Sequence, residues 1–398
     1  MARAITRRTS LKHLALFASG AATGWWPRLS FASDDEPTPS EDELDAIAAI
    51  ATSFMRLYDV PALSIAIARH GQFVYRKAFG FADKGENEIA TPANLFRIAS
   101  ISKPITSVTI FTLIEAGRIS LSDRVFGPQG ILGFDYATKY PDLVQEITID
   151  HLLTHTSGGW SSYENDPTFF DPKASAAETI TWYIRNDPLR YPPGQHFAYS
   201  NLGYGILGCV VEKVTRQSYP QYVQQNVFAR CGMSGARVMG NTRAERAPRE
   251  VIYYGETDRA GGWTHPYAMN LNRFVSTGGW LATATDLVRF AMHVDGFEYT
   301  PNILSRQTIE TMTSPCAVSP IPHYARGWYV NELPNWWHGG RLPGSMNELV
   351  RTASGLCWCA LANTHTDGID EGMDKMLSDI VNAVPEWHAI PAPVRPQP

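Results

Sequence analysis

The spacing of apolar residues predicts a mixed α/β chain whose first element is a helix. Apolar residues recur every three or four positions over residues 41–58, as on one face of a helix. The next apolar run, Leu63 to Ala68, is followed by a turn at His70-Gly71 and by a second run from Phe73 to Phe79. Two such runs joined by a short turn predict a β-hairpin.

The remainder divides into a helical middle and a strand-rich end. Helical runs occur near 149–154, 175–186, 201–214 and 219–231, and later at 284–294 and 369–384; strand runs occur around 325–331, 335–340, 346–352 and 356–362. We therefore expect a mostly helical lobe (about 123–266) inserted into an α/β lobe (about 41–122 and 267–384). The proline-rich residues 385–398 are predicted to form a tail.

The N-terminal residues have the pattern of an export signal. Arg7-Arg8-Thr9-Ser10-Leu11-Lys12 is a twin-arginine pattern, and an apolar run from Leu14 to about Trp26 follows it. Ser30-Phe31-Ala32 supplies small residues where a signal peptidase cuts. Residues 1–32 are thus predicted to be a twin-arginine signal peptide and the mature protein periplasmic or secreted. A basic N-terminus without signal function and an uncleaved anchor are the alternatives.

Charge and composition exclude several classes of partner. The net charge is −5, and removal of the five cations in residues 1–32, which contain no acids, takes it to about −10. This balance argues against nucleic acid or an anionic membrane as partner, and no apolar run is long enough to span a membrane. His151 and His155 lie four residues apart but lack the glutamate of the zinc-protease helix. We expect no metal and no cofactor.

The strongest chemical signal is the stretch around Ser100 and Lys103, which holds the only Ser-x-x-Lys in the chain. On a helix, residues three apart lie on one face with Cβ atoms about 5–6 Å apart, so the lysine amine can reach the serine hydroxyl. A desolvated lysine can take the proton that makes serine a nucleophile. Taken alone, the pair is also compatible with a serine that caps a helix.

Two later motifs supply groups that an acyl-transfer site needs. Tyr199 and Asn201 follow a rigid Pro-Gly turn and precede a helical run, so both side chains can project into a cleft. His338-Gly339-Gly340 is the only His-x-Gly in the chain, and paired glycines on a strand let a substrate lie close while the histidine donates a hydrogen bond. An aromatic plug and a β-bulge are the respective structural alternatives.

The order of these motifs resembles the serine β-lactamase and penicillin-binding-protein superfamily, and specifically the class C β-lactamase-like serine hydrolases. Matching stretches cover roughly residues 45–385; they are Phe96 to Ser100, Leu152 to Gly158, Pro193 to Asn201, Gly278 to Thr283 and His338 to Asn363. The resemblance implies an α/β (α+β) fold, in which helices flank an antiparallel β-sheet and a mostly helical lobe is inserted.

The resemblance also implies a role for each matching residue. Ser100 would be the acylated nucleophile, Lys103 the base or proton relay, and Tyr199 the group that protonates the leaving atom and later activates water. Asn201 would bind a substrate carbonyl. The backbone N–H groups of Ser100 and Arg341 would form the oxyanion hole.

The third motif departs from the Lys-Thr-Gly that is usual in lactamases. His338, Gly339, Gly340 and Arg341 are expected to bind substrate, but a histidine that is partly neutral at pH 7 weakens carboxylate recognition. Arg341 either binds a carboxylate-bearing substrate or points to solvent.

We therefore expect an exported serine hydrolase that cleaves an ester or amide, as an esterase or D-aminoacyl peptidase. Its partner would be a small molecule or peptide with an ester, amide or lactam carbonyl. A true β-lactamase is the alternative within the same chemistry. A penicillin-binding-like sensor or non-catalytic scaffold is the alternative of another class.

Overall fold

The computed structural model describes residues 39–163, 173–255, 265–385 and 387. The predicted signal peptide lies outside these residues, as does most of the predicted tail. Among the described residues, no helix has both the length and the apolar character needed to cross a membrane.

An eight-stranded antiparallel sheet forms the centre of the fold. Its strands are β1 (Ala62–Arg69), β2 (Gln72–Asp83), β3 (Glu88–Ile89), β8 (His323–Tyr324), β9 (Tyr329–Val330), β10 (Trp336–Leu342), β11 (Ser345–Arg351) and β12 (Leu356–Ala362). The order across the sheet is β3-β2-β1-β12-β11-β10-β9-β8. The β1–β2 hairpin therefore lies beside strands β10 to β12, which come from the far end of the chain.

Helices cover both faces of this sheet. Helices α1 (Glu41–Leu57) and α12 (Ile369–Ala383) pack together on one face, where Ile47 and Leu377 join a core that includes Ile65 of β1. Helix α10 (Ala284–Met292) lies on the other face, where Leu287 shares a core with Cys359 of β12. Strand β1 is buried on both faces, and successive side chains point to opposite sides, so Ile65 joins the first core and Ala66 joins the second. The predicted fold class is confirmed.

The chain between β2 and α10 is rich in helices and carries short strands. The helices are α2 (Ser102–Glu115), α3 (Asp142–Gln145), α4 (Ile149–Leu153), α5 (Ala176–Asn186), α6 (Asn201–Thr215), α7 (Tyr219–Val223), α8 (Ala229–Cys231) and α9 (Val275–Gly278). The short strands are β4 (Phe96–Arg97), β5 (Arg237–Val238), β6 (Tyr254–Gly255) and β7 (Trp280–Ala282). Helix α2 is buried on almost all sides, so it anchors the site at its N-terminus in the core.

The observed elements depart from the predicted ones in three places. The predicted strand over 325–331 is wrong in its first half, because Gly327 adopts φ +86° and turns the chain between β8 and β9. Strands β5 and β6 interrupt the predicted helical middle. Helix α11 (Arg306–Thr313) and the last strand, β13 (Thr364–His365), were not predicted.

Candidate active site

Ser100 lies in a tight 3₁₀ turn, Ala99–Ile101, between β4 and α2. Ala99 adopts φ +51°, a left-handed conformation that costs an L-residue about 1 kcal/mol or more. The surrounding strands hold this turn: β4 pairs with β7, and the Ile98 N–H donates to Trp280 O at 3.0 Å. The backbone therefore presents Ser100 at a defined, strained corner.

Lys103 is fully buried directly behind Ser100. Its Nζ donates to Ser100 Oγ at 2.9 Å, to Asn201 Oδ1 at 2.9 Å and to the backbone oxygen of Thr277 at 3.2 Å. The predicted pairing of Ser100 with Lys103 is thus present, and Asn201 joins it. Thr277, at the end of α9, was not predicted, because its contribution is a carbonyl group.

These acceptors orient the lysine for proton transfer. Asn201 Oδ1 and Thr277 O can only accept hydrogen bonds, so a neutral Lys103 amine gives its two hydrogens to them. Its lone pair is then left for the Ser100 hydroxyl at 2.9 Å. The arrangement can take the proton from Ser100 without a rearrangement of side chains.

Tyr199 lies across the nucleophile from Lys103. Its phenol is hydrogen-bonded to Ser100, and Lys103 Nζ is 4.8 Å from the centre of its ring. Burial, and then the neighbouring Tyr329, raise the pKa of Tyr199 well above its ordinary value, against the hydrogen bond from Ser100. The phenol is therefore a proton donor or relay in the resting protein rather than a phenolate.

A buried histidine, His155, pins the loop that carries Tyr199. The Ser200 N–H donates to His155 Nδ1 at 3.1 Å, the Ala198 N–H donates to His155 O at 2.8 Å, and the His155 and Tyr199 ring centres are 4.3 Å apart. Burial, followed by the charge of Lys103, lowers the pKa of His155 well below its ordinary value, so the ring is neutral. No catalytic signal in the sequence pointed to His155, which was considered only as a metal ligand.

The opposite wall of the site is β10, whose two glycines have different surroundings. A Cβ on Gly340 would lie 2.2 Å from Ile98 O, beside the nucleophile turn. A Cβ on Gly339 would meet only Asn347 O, at 3.8 Å. Glycine at 340 is thus required for close approach of β10 to the turn, whereas glycine at 339 leaves space.

His338 is buried beside Gly339 and is bound within the protein. Its Nδ1 lies 2.6 Å from Gly339 O, which can only accept, and its Nε2 lies 3.2 Å from the Tyr324 hydroxyl. Burial, and then the charge of Lys103, lower the pKa of His338 to about 3, although the hydrogen bond to Gly339 opposes them. His338 is therefore neutral at pH 7, and its predicted hydrogen bond to substrate stays a prediction.

These residues surround one cavity of about 490 Å³. The predicted site residues that line it are Ser100, Tyr199, Asn201, His338, Gly339, Gly340 and Arg341. The Arg341 side chain is exposed and its charge acts on Tyr163 across the cavity, so it faces the cleft. Strand β9 pairs with β10 only at Trp336 and Trp337, so β10 from His338 onward has an edge for substrate; the oxyanion hole stays a prediction.

The same cavity has residues that the sequence did not single out. Glu348, Asp370 and Asp374 line it together with the aromatic residues Tyr329 and Trp337. Over the described ranges, no group of three or more histidine, cysteine or carboxylate side chains is arranged to hold a metal ion. The acids therefore form a separate feature of the cleft.

Comparison with known proteins agrees with this geometry. A family model described as Beta-lactamase matches residues 47–381. Penicillin-binding protein 4* of Bacillus subtilis (strain 168) is 27% identical over 309 residues, which are 72% of this chain and 64% of the relative. Protein flp of Staphylococcus aureus (strain MRSA252) is 25% identical over 329 residues, 81% of this chain and 63% of the relative.

The matches to both curated relatives thus span less than two thirds of their length. Among solved structures, D-amino acid amidase from Ochrobactrum anthropi SV3 superposes with a TM-score of 0.70 at 22% identity. That match covers 86% of this chain and 99% of the amidase. At this identity the likeness establishes the fold.

Proposed function

Because the chain belongs to the Beta-lactamase family, we propose that it is a serine hydrolase that cleaves an ester or amide through an acyl-enzyme on Ser100. The observation that carries this proposal is the contact of Lys103 Nζ with Ser100 Oγ at 2.9 Å, inside a buried network that includes Asn201. A nucleophile and a phenol that line one cavity, with a buried base behind the nucleophile, are the parts that acyl transfer needs.

The first half of the reaction forms the acyl-enzyme. Lys103 takes the Ser100 proton while Oγ attacks the carbonyl carbon, and the substrate oxygen becomes negative. The N–H groups of Ser100 and Arg341 stabilise that oxygen, a contribution of about 3 kcal/mol per donor in comparable sites. Tyr199, hydrogen-bonded to Ser100, passes a proton to the leaving oxygen or nitrogen as the bond breaks.

The second half releases the acyl group. Water enters the space that the leaving group vacated, gives a proton to the Tyr199–Lys103 pair and attacks the ester carbon. The Ser100 oxygen takes a proton back from the Tyr199–Lys103 pair as the ester bond breaks, which restores the resting state. No step requires a metal or a cofactor.

The site favours esterase or D-aminoacyl peptidase activity over β-lactam hydrolysis. A neutral, internally hydrogen-bonded His338 stands where a lysine cation usually helps to bind the lactam carboxylate. The fold shared with an enzyme called D-amino acid amidase supports amide cleavage as well. A true lactamase would have to bind that carboxylate through Arg341 alone.

The test is the hydrolysis of p-nitrophenyl butyrate, a series of D-amino-acid amides and a chromogenic cephalosporin by the mature protein. We expect ester or amide turnover with little lactam turnover, and a loss of at least about 1,000-fold in kcat/KM in Ser100→Ala. Ser378→Ala, at an exposed serine of α12, is the matched control and should keep full activity. Ester hydrolysis that survives in Ser100→Ala would refute the mechanism.

Intact-mass spectrometry separates the alternative of another class. A sensor or scaffold would keep a stable acyl adduct on Ser100 or form none, whereas an enzyme returns to its unmodified mass as substrate is consumed. Ready cephalosporin turnover would instead establish the lactamase alternative.

We also propose that the protein is exported by the twin-arginine route and acts in the periplasm or outside the cell. The support is the sequence Arg7-Arg8-Thr9-Ser10-Leu11-Lys12 and the apolar run that follows. Replacement of both arginines by lysine should keep the precursor in the cytoplasmic fraction, while Arg28→Lys should not. Normal export of the double variant would refute this assignment.

A further inference from the structure

The cavity extends from Ser100 past β10 to three carboxylates. Glu348 lies on β11, and Asp370 and Asp374 lie one turn apart at the start of α12; all three line the same cavity as the nucleophile. The catalytic steps described above use none of them.

Glu348 is the unusual member of this group, because its side chain is buried without a partner. It is 8% exposed. Within the part of the chain that the structure describes, its carboxyl group has no hydrogen bond or ion pair. A buried carboxyl group normally has such a partner, because the desolvated charge is otherwise strongly unfavourable. Its carboxyl oxygens are therefore free to bind a ligand that enters the cavity.

Gly339 provides the opening between this carboxyl group and the nucleophile. It pairs with Glu348 across the β10–β11 ladder, so the two positions point to the same face of the sheet. Since a Cβ on Gly339 would touch nothing closer than 3.8 Å, the glycine is not required by packing. Its missing side chain leaves Glu348 accessible from the catalytic cleft.

The charges around Glu348 call for a cation. Burial, and then the charge of Asp374, raise the pKa of Glu348 to about 8, so it holds a proton at pH 7 when the cavity has no ligand. The other ionisable groups nearby are Asp370 on α12, Cys359 on β12 and Arg341 on β10. Arg341 acts on Tyr163 rather than on Glu348. A cationic ligand would ionise Glu348 and be held by it.

We propose that Glu348, with Asp370 and Asp374, binds a primary ammonium group on the substrate whose carbonyl is attacked by Ser100. The inference rests on the proposed function and narrows it to esters or amides that carry an amine. An ammonium fits better than a metal ion, because it needs separate acceptors for three hydrogens, and no metal-holding cluster exists among the described residues.

A pair of matched substrates tests this site. p-Nitrophenyl 6-aminohexanoate and p-nitrophenyl heptanoate have the same length and differ in the terminal ammonium. We expect the ratio of their kcat/KM values, cationic over neutral, to fall at least about tenfold in Glu348→Gln. Glu332→Gln, at an exposed carboxylate in the loop before β10, should leave the ratio unchanged. An unchanged ratio in Glu348→Gln overturns the inference.

A binding measurement keeps the test independent of turnover. Hexylammonium and 1-hexanol are titrated calorimetrically into the mature protein at pH 7, in two buffers of different ionisation enthalpy. Hexylammonium should bind more tightly than hexanol and release close to one proton in the wild type and none in Glu348→Gln. Equal binding of the two probes, or binding without proton release, overturns the ammonium site.

The two proposals fail in different ways. Ester hydrolysis that persists in Ser100→Ala refutes the acyl-enzyme mechanism and leaves the calorimetric result to decide the ammonium site. Hydrolysis that depends on Ser100, combined with an unchanged substrate ratio in Glu348→Gln, refutes only the ammonium site.

Discussion

The two ends of the cleft treat buried polar groups in opposite ways. At the nucleophile end, Ser100, Lys103 and Asn201 are joined by hydrogen bonds of 2.9 Å. At the acidic end, Glu348 is also buried but has no partner among the described residues, and the charge that acts on it is that of another acid, Asp374. One end is complete without a ligand, and the other is not.

This difference separates catalysis from selection. Groups that move protons act fastest when they are already oriented, and the network around Lys103 provides that orientation before substrate arrives. An unpartnered carboxyl group destabilises the empty protein but gives its full interaction to a ligand of the right charge. In the proposed function, the nucleophile end therefore sets the reaction, and the acidic end sets which substrate receives it.

The largest expected effect comes from removing Lys103 from the hydrogen-bond network at the nucleophile end. Lys103→Met removes the base and leaves Asn201 Oδ1 and Thr277 O without this donor. We expect kcat/KM for p-nitrophenyl butyrate to fall at least about 1,000-fold. Circular dichroism checks that the variant is folded. Lys139→Met, at an exposed lysine, is the control and should behave as wild type.

The two glycines of β10 give the next largest effect and a matched pair. Gly340→Ala places a Cβ 2.2 Å from Ile98 O, so β10 must move away from the nucleophile turn. We expect a loss of about 100-fold in kcat/KM, because small displacements of catalytic groups have effects of this size. Gly339→Ala meets only Asn347 O at 3.8 Å and should lose at least tenfold less. Equal losses would contradict the assigned packing.

The acidic end can be examined through the pH dependence of stability. The pKa of Glu348 is raised from 4.5 to about 8, so the folded protein keeps a proton that the unfolded chain loses above pH 4.5. The stabilisation of the folded state by this bound proton is fully present below pH 4.5 and is lost as the pH rises through 8. Glu348→Gln should reduce the fall in unfolding free energy between pH 5 and 8.5 by about 4 kcal/mol.

Urea unfolding of the wild type, Glu348→Gln and Glu332→Gln at pH 5 and at pH 8.5 measures this change in unfolding free energy. Glu332 is exposed, so its variant should follow the wild type. If Glu348→Gln also follows the wild type, the carboxyl group is already ionised and paired in the folded protein.

The sequence predicted the nucleophile end because its geometry is local. Ser100 and Lys103 are three residues apart, and the Ser200 side chain accepts from the Gly203 N–H, so it caps helix α6 beside Tyr199 and Asn201. Spacing along a helix and capping residues can be seen in a single chain. The hairpin of β1 and β2 was predictable for the same reason.

The acidic end could not be predicted in this way. Glu348 can be recognised as a candidate binding residue only because β10 places Gly339 opposite it and α12 brings Asp374 near it. Neither pairing follows from spacing along the chain. The contact of Lys103 with Thr277 O had no signal at all, because every residue has a carbonyl group. The error in the strand predicted over 325–331 could have been foreseen, since Gly327 can adopt the positive φ of a turn.

The smallest expected effect concerns His155, which the sequence offered only as a metal ligand. His155 adopts φ +60° and accepts the Ser200 N–H, so it positions the Tyr199 loop without contact to the reacting atoms. His155→Gly tolerates that φ but removes the acceptor, and we expect kcat to fall about tenfold with little change in KM. His155→Asn keeps an acceptor at the place of Nδ1, tolerates a left-handed backbone and should recover most of the loss. A failure of Asn to restore kcat above the Gly variant would mean that the ring packing on Tyr199, rather than the hydrogen bond, holds this end of the cleft in place.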